Sequence, residues 1–329
     1  MDSAFINRIF KIQDQKTFRE IALKVFLYQS RQVKAYGAYL DLLGVDPERV
    51  LDPQEIPYLP VEFFKSFQIQ VQDAPAELVF ESSGTTGQAP AKHYVADASL
   101  YQRSFMEGFR RVYGDPETLC ILALLPSYLE REASSLVYMM DHLIAASEHP
   151  DSGFYLDQLE DLSRILRKRK LDGQATLLIG VSFALLDLAE QFPQELGDQL
   201  FLMETGGMKG RRKEMVRAEL HQVLKEAFGQ KNIHSEYGMT ELLSQAYSKG
   251  EGRFYCPPWM QVSMRDPNDP LSPPGAGQNG GINVIDLANV YSCSFIATSD
   301  LGKSHADGSF EVLGRFDHSD IRGCNLMVV

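Results

Sequence analysis

The 329-residue chain has 32 Lys and Arg against 44 Asp and Glu, and its formal net charge of -12 would repel a nucleic-acid backbone, so no nucleic-acid partner is expected. Four cysteines, Cys120, Cys256, Cys293 and Cys324, are scattered without the paired spacing of a zinc site, and no secretory leader precedes the first helical pattern; a reducing cytoplasm is the expected home. The longest apolar runs, such as Cys120 to Leu125, fall far short of the roughly 20 residues of a membrane-spanning helix.

Apolar residues at helical spacing across residues 3 to 43 (Phe5, Ile9, Ile12, then Ile21, Val25, Tyr28) predict two or three amphipathic helices as an N-terminal cover. Pro57 and Pro60 disfavour helix before Val61 and hand over to a short helix or turn. The run Leu78-Val79-Phe80 then predicts a buried strand that empties into Glu81-Ser82-Ser83-Gly84-Thr85-Thr86-Gly87. Glycines let a backbone approach an anion closely, and hydroxyls with exposed N–H groups donate to phosphate oxygens, so this loop suits a triphosphate. It has neither the Gly-Lys-Ser/Thr of a Walker loop nor the glycine spacing of a dinucleotide turn, and its composition equally fits a plain Ser/Gly turn.

Candidate strands at 78–82, 118–125, 175–181, 200–204 and 232–237 alternate with helical stretches near 97–112, 131–147, 156–170, 183–192 and 211–228. That alternation predicts an α/β fold with a largely parallel sheet covered on both faces. Cys120 and Cys293 fall in apolar strands and read as core, while the basic run Arg167 to Lys170 matches a helix C-terminus and its dipole. Past residue 250, short apolar runs broken by Pro and Gly predict strands at 259–264, 281–287, 292–298 and 309–314 in a small antiparallel lobe.

Three further segments carry chemistry. His234-Ser235-Glu236-Tyr237-Gly238-Met239-Thr240-Glu241 lies at a strand end, where open α/β sheets bind ligands, so it and the 82–87 loop can face one site. Tyr237 suits stacking on a purine, and Thr240 with Glu241 offers hard oxygens for Mg²⁺; the same residues also fit a capped strand-to-helix junction. In Thr298-Ser299-Asp300-Leu301-Gly302 and Gly314-Arg315-Phe316-Asp317, an aspartate can accept two ribose hydroxyls and an arginine can contact sugar or phosphate. Asp300 fits a turn as well, and Arg315 with Asp317 a surface pair.

In order and spacing, Ser82 to Gly87, Gly206-Gly207, Tyr237 to Glu241, Thr298 to Gly302 and Gly314 to Asp317 resemble successive signatures of the acyl-adenylate-forming superfamily. Pro60-Val61-Glu62-Phe63-Phe64-Lys65, Pro126-Ser127-Tyr128-Leu129-Glu130-Arg131 and Asp320-Ile321-Arg322-Gly323-Cys324 are most similar to the acyl-protein synthetases of the bacterial luminescence fatty acid reductase complex. The resemblance implies the large N-terminal domain of that fold, parallel sheets covered by helices plus a small antiparallel lobe, without the mobile C-terminal domain and its adenylation lysine. The expected division is a helical cover and nucleotide-binding core over 1–254, a β-rich lobe over 255–314 and a hinge-like tail over 315–329.

By the same resemblance, Ser82, Ser83, Gly84, Thr85, Thr86 and Gly87 would hold the β- and γ-phosphates of ATP. Gly206 and Gly207 would edge the adenine and acyl pocket, and Tyr237 beside Gly238 and Met239 would stack on adenine. Thr240 and Glu241 would hold Mg²⁺, Asp300 the ribose hydroxyls and Arg315 ribose or phosphate. Lys92 follows the loop through Gln88-Ala89-Pro90-Ala91, a longer spacing than the family loop uses. The implied reaction activates a fatty or related carboxylic acid as acyl-AMP and transfers it to a cysteine, Cys324 of this chain or one on an acyl-accepting or reductase partner. Arg322 beside Cys324 favours its thiolate, although Cys324 to Val329 also reads as a packed terminal strand. Two other functions stay open: a phenylacetate-CoA-ligase-like enzyme, and a non-catalytic nucleotide- or acyl-binding partner protein.

Overall fold

The structure, a computed structural model, describes residues 1–82, 89–126, 133–207, 212–213, 215–266 and 279–316. Ser83 to Gly87, Asp317 and Cys324 therefore lie outside the described residues.

Three helices open the chain, α1 (Ser3–Ile9), α2 (Gln15–Gln32) and α3 (Lys34–Leu42). Asp2 and Asp14 cap the first two by accepting from the backbone N–H of Phe5 and Thr17, which satisfies donors that a helix start leaves open. Then come β1 (Leu59–Pro60), α4 (Phe63–Ser66), β2 (Leu78–Glu81), β3 (Lys92–Val95), α5 (Ala98–Tyr113), β4 (Cys120–Leu124), α6 (Ser135–Ser147), β5 (Gly153–Phe154) and α7 (Leu159–Asp172). The remainder is β6 (Thr176–Val181), α8 (Ser182–Gln191), β7 (Leu200–Thr205), α9 (Arg217–Phe228), β8 (His234–Tyr237), β9 (Ala246–Ser248), β10 (Met260–Arg265), β11 (Gly280–Asp286), β12 (Phe295–Ser304) and β13 (Phe310–Arg315).

A six-stranded sheet runs β5-β4-β6-β7-β8-β9, parallel except at the β8–β9 edge. Every residue of β4 and β6 is buried, as helices on both faces of a parallel sheet demand. The second sheet is built around β12, with β11 and then β10 antiparallel on one side and β1 (parallel) and β13 (antiparallel) sharing the other. Arg265 staples this sheet: its guanidinium donates to the carbonyls of Ile282 and Thr298 and to Asn283 Oδ1. Gly281 is needed there, because a Cβ would stand 2.6 Å from that guanidinium carbon.

Two expectations need correction. Leu78 to Phe80 is no strand of the parallel sheet; it pairs antiparallel with β3 in a separate two-stranded hairpin, with Val79 exposed and only Phe80 buried. A three-residue apolar run looks alike in either setting. The predicted strand at 292–298 begins later and runs on to Ser304, with a register shift at Leu301/Gly302, so Asp300 is a strand residue and not part of a turn.

Helix α2 is bolted to the second sheet by a buried amide. Gln29 Nε2 donates to Asn289 O, Val290 O and Ser294 Oγ, and its Oε1 accepts from Ser294 N. Deeper still, Asp286 at the end of β11 accepts from Leu243 N, Ser244 N, Ser244 Oγ and Ala288 N at 2.6–3.1 Å. Burial raises its carboxyl, and those donors oppose the rise. Ser244 Oγ also receives Trp259 Nε1, which reaches Ser104 Oγ on α5 as well. Asp286→Ala strands four buried donors at once, so a loss of roughly 3 kcal/mol or more is expected in urea unfolding. A loss within about 0.5 kcal/mol of zero contradicts this role for Asp286.

Candidate active site

Strand β7 ends at Thr205, and the chain leaves it through Gly206 at φ 66°, a left-handed value that glycine tolerates without strain. Gly206 and Gly207 are exposed, and Ser182 Oγ fixes the turn by donating to Gly206 O. Next to it, β8 ends at Tyr237, followed by exposed Gly238, half-buried Met239 and Thr240, and buried Glu241. Both turns therefore open at the carboxyl end of the parallel sheet.

Three of the expected residues meet directly. Tyr237 donates its hydroxyl to Asp300 Oδ2 at 2.8 Å, and Arg315 Nε donates to Asp300 Oδ1 at 3.1 Å. Asp300 is buried while the Arg315 side chain is 72% exposed, so the carboxylate is held by Tyr237 and capped by a cation at the surface. Each carboxylate oxygen keeps a further lone pair for a hydroxyl donor. The Tyr237 ring is itself buried, edge-on to Phe254 and Phe310 at centroid distances of 6.0 and 5.5 Å.

Glu241 lies in the field of Arg315, Asp300 and Lys65, and burial pushes its carboxyl up to about 7. The turn that carries it is clamped by His93 and Asn289. His93 Nδ1 stands 2.8 Å from Thr240 O and Nε2 3.0 Å from Asn289 Oδ1, while Asn289 Nδ2 donates to Glu241 O and Cys293 O. Burial pushes the His93 imidazole down to about 4, so near neutral pH the ring is uncharged and donates through one nitrogen only.

Neighbouring residues of a strand point to opposite faces, and this separates Lys92 from the cluster. With His93 turned toward Thr240, Lys92 faces the other way and pairs with Glu81 at 2.9 Å at the root of the 82–87 loop. Ser82 closes the same root: its N–H donates to Ala91 O and its Oγ accepts from Ala91 N. His234, left without a role in sequence, is buried against Tyr113, whose hydroxyl meets Nδ1 at 3.0 Å, and burial pushes it down to about 4. Cys120 and Cys293 are buried core residues, their thiols pushed up by burial to about 11 and about 12.

Sequence reasoning missed His93, Asn289, Glu204 and Glu236. Glu236 accepts from Thr205 Oγ1 at 2.5 Å, and burial, with Glu204 nearby, pushes it up to about 7. Glu204 is equally buried, yet His221 and Arg217 outweigh that penalty and hold it low; Arg217 also donates to Val312 O, tying α9 to β13. The one available signal was Glu204, a charged residue directly after the apolar run Leu200 to Met203.

Thr240 and Glu241 suit a magnesium ion: both offer oxygen, and a nearby dication would favour the ionised form of a carboxyl that burial keeps near 7. Among the described residues no three or more His, Cys, Asp or Glu gather to hold a metal unaided, so phosphate oxygens and water would complete the shell. Among them, too, no helix is long and apolar enough to cross a membrane.

A family model for LuxE, acyl-protein synthetase, matches residues 8–329. No curated protein sequence matches significantly. Among solved structures, an open 2-hydroxyisobutyryl-CoA ligase in complex with 2-HIB-AMP and CoA superposes with a TM-score of 0.65 at 15% identity, over 96% of this chain and 70% of that one. ATP-bound MatB from Rhodopseudomonas palustris gives 0.54 at 19% identity, over 72% of this chain and 47% of MatB, so the chain spans about half of MatB's length. These likenesses establish the mixed α/β fold of the acyl-adenylate-forming ligases.

The two carboxyls that burial raises to about 7, Glu236 and Glu241, make stability depend on pH with a definite sign. A carboxyl at about 7 when folded and 4.5 when unfolded contributes fully below 4.5, and that contribution is lost as pH rises through 7. Glu236→Gln keeps the Thr205 hydrogen bond and cannot ionise. Its stability relative to wild type is therefore expected to grow between about pH 5 and about pH 8, by on the order of 2–3 kcal/mol in urea unfolding. A difference that does not move with pH rules out the buried-acid assignment.

Proposed function

The chain belongs to the LuxE acyl-protein synthetase family, and on that premise we propose that it activates a carboxylic acid with ATP as the acyl-adenylate and passes the acyl group to a thiol. The observation that carries this reading is the meeting of Tyr237, Asp300 and Arg315 beside buried Glu241 at the mouth of the parallel sheet.

A carboxylate is a poor electrophile until one of its oxygens can leave. Here the carboxylate oxygen attacks the α-phosphorus of ATP, the bond to the β-phosphate oxygen breaks, and pyrophosphate departs. A thiolate then attacks the acyl carbon, the bond to the AMP oxygen breaks, and AMP leaves with that electron pair. Asp300, oriented by Tyr237, accepts the ribose hydroxyls, and Arg315 lies at the sugar–phosphate side. Ser82 and the loop Ser83 to Gly87 donate to the β- and γ-phosphates, and Lys92 supplies positive charge at the loop's root. Gly206 and Gly207 leave room for nucleotide and acyl chain, while Gly238 and Met239 continue that wall below the Tyr237 ring. Thr240 and Glu241 would hold Mg²⁺, which supplies positive charge to the phosphate oxygens. The family's character motivates the rest of this proposal: a fatty or related acid as substrate, Cys324 or a partner's cysteine as acceptor, a reductase partner and a cytoplasmic setting.

The chain's likeness in fold to a ligase crystallised with CoA motivates a second reading, in which CoA takes the acyl group. Acid-dependent exchange of labelled pyrophosphate into ATP, over straight-chain acids of graded length, tests the activation step. Exchange is expected with at least one acid, and Glu241→Gln should lower it by roughly a hundredfold. Cys324→Ser should leave exchange intact and abolish the acyl-protein adduct seen by mass spectrometry. Exchange with no acid, or a full rate in Glu241→Gln, contradicts the proposal, and acyl-CoA formation unaffected by Cys324→Ser assigns the acceptor to CoA.

A further inference from the structure

One buried polar cluster takes no part in the nucleotide site as described. Glu236 and Tyr247 are directly opposed across the β8–β9 pair, so their side chains leave the same face of the sheet. That face meets α5, where Tyr113 and Phe109 lie edge-on to the Tyr247 ring at 5.5 and 6.5 Å. Gln245, two residues before Tyr247, approaches from the same side. A Cβ on Gly238 would meet both the Glu236 carboxylate and, at 3.3 Å, Gln245 Cγ. The two side chains thus flank the turn that leads to Thr240 and Glu241.

All three side chains are more than nine-tenths buried. Tyr247 Oη and Gln245 Oε1 have no hydrogen-bond partner among the described residues, and Glu236 is held at Oε2 by Thr205. Buried polar atoms are almost always paired, because a lone one carries the full penalty of leaving water. The amide oxygen accepts, while the phenol and, in its protonated form, the carboxyl can each donate or accept. The natural complement of this set is a group that both donates and accepts. Thr205, the partner of Glu236, adjoins Gly206, and Glu236 and Gln245 flank Gly238, so the cluster lies beside the wall proposed to line the acyl chain.

We propose that Glu236, Gln245 and Tyr247 form a specificity subsite that receives a polar group able both to donate and to accept, a hydroxyl or amino group, carried on the chain of the acid being activated. This deepens the proposed function and rests on it: the preferred substrate class becomes hydroxy- or amino-substituted acids over plain fatty acids. A site built to pair a polar group discriminates strongly against the analogue lacking it, since its own buried atoms are then left unpaired.

The test is pyrophosphate release by the full chain with hexanoate, its monohydroxy isomers and its monoamino isomers, each read as kcat/KM. The expected result is a preference of roughly tenfold or more for at least one substituted acid, hydroxy and amino arms being told apart directly. Tyr247→Phe removes an atom that has no partner among the described residues, and Gln245→Leu does the same from the other side should the first variant fail to fold. Either is expected to bring the ratio of substituted to plain acid close to one. Equal rates for plain and substituted acids overturn the subsite, as water alone then satisfies these atoms, while leaving the activation reading standing. A preference that both variants retain also overturns it. No release with any acid removes the activation reading and this proposal together.

Discussion

The segment from Thr240 to Ser244 joins β8 to β9 in the six-stranded sheet, and a buried polar knot ties it to the end of β11 in the second sheet. His93 from the hairpin and Asn289 after β11 hold the carbonyls of Thr240 and Glu241, and Asp286 holds the N–H groups of Leu243 and Ser244. Each contact joins residues far apart in the chain, so the turn has no preferred shape until both sheets are in place. Water cannot substitute for these partners in so buried a place, which makes the knot stiff. The candidate ion-binding carboxylate is thereby delivered to a set position beside Asp300 and Arg315.

Burial also sorts the acids by role. Glu204 and Glu236 both lie within the parallel sheet, one held low by Arg217 and His221 and the other pushed up to about 7 with only a threonine hydroxyl as its donor. Asp300 accepts from Tyr237 and Arg315, whereas burial pushes Glu241 up to about 7. Carboxyls of one chemical type are thus held low or pushed up according to what surrounds them.

The long apolar strands and their partner helices were legible because burial on both faces leaves an unbroken hydrophobic run, as in β4 and β6. Strands β1, β5 and β9 span two or three residues and leave no period to detect. The Tyr237 to Glu241 segment and Asp300 could be read as site residues from residue type and strand-end position, and the fold does bring Tyr237, Asp300 and Arg315 into contact. Lys92 could not be placed, because the side of a strand on which a lysine emerges depends on a register that sequence does not display. His93, Asn289 and the Gln245–Tyr247 pair were invisible for a related reason: their partners are supplied by tertiary structure, 147 residues away in the case of His93 and Thr240.

The central claim is that the acid's own oxygen bonds to the α-phosphorus of ATP. A single turnover with a carboxylic acid carrying heavy oxygen in both carboxylate positions, followed by mass spectrometry of the nucleotide and phosphate products, tests it most directly. The account predicts one heavy oxygen in AMP and none in pyrophosphate. Heavy oxygen in inorganic phosphate, or none in AMP after acyl transfer, would contradict it.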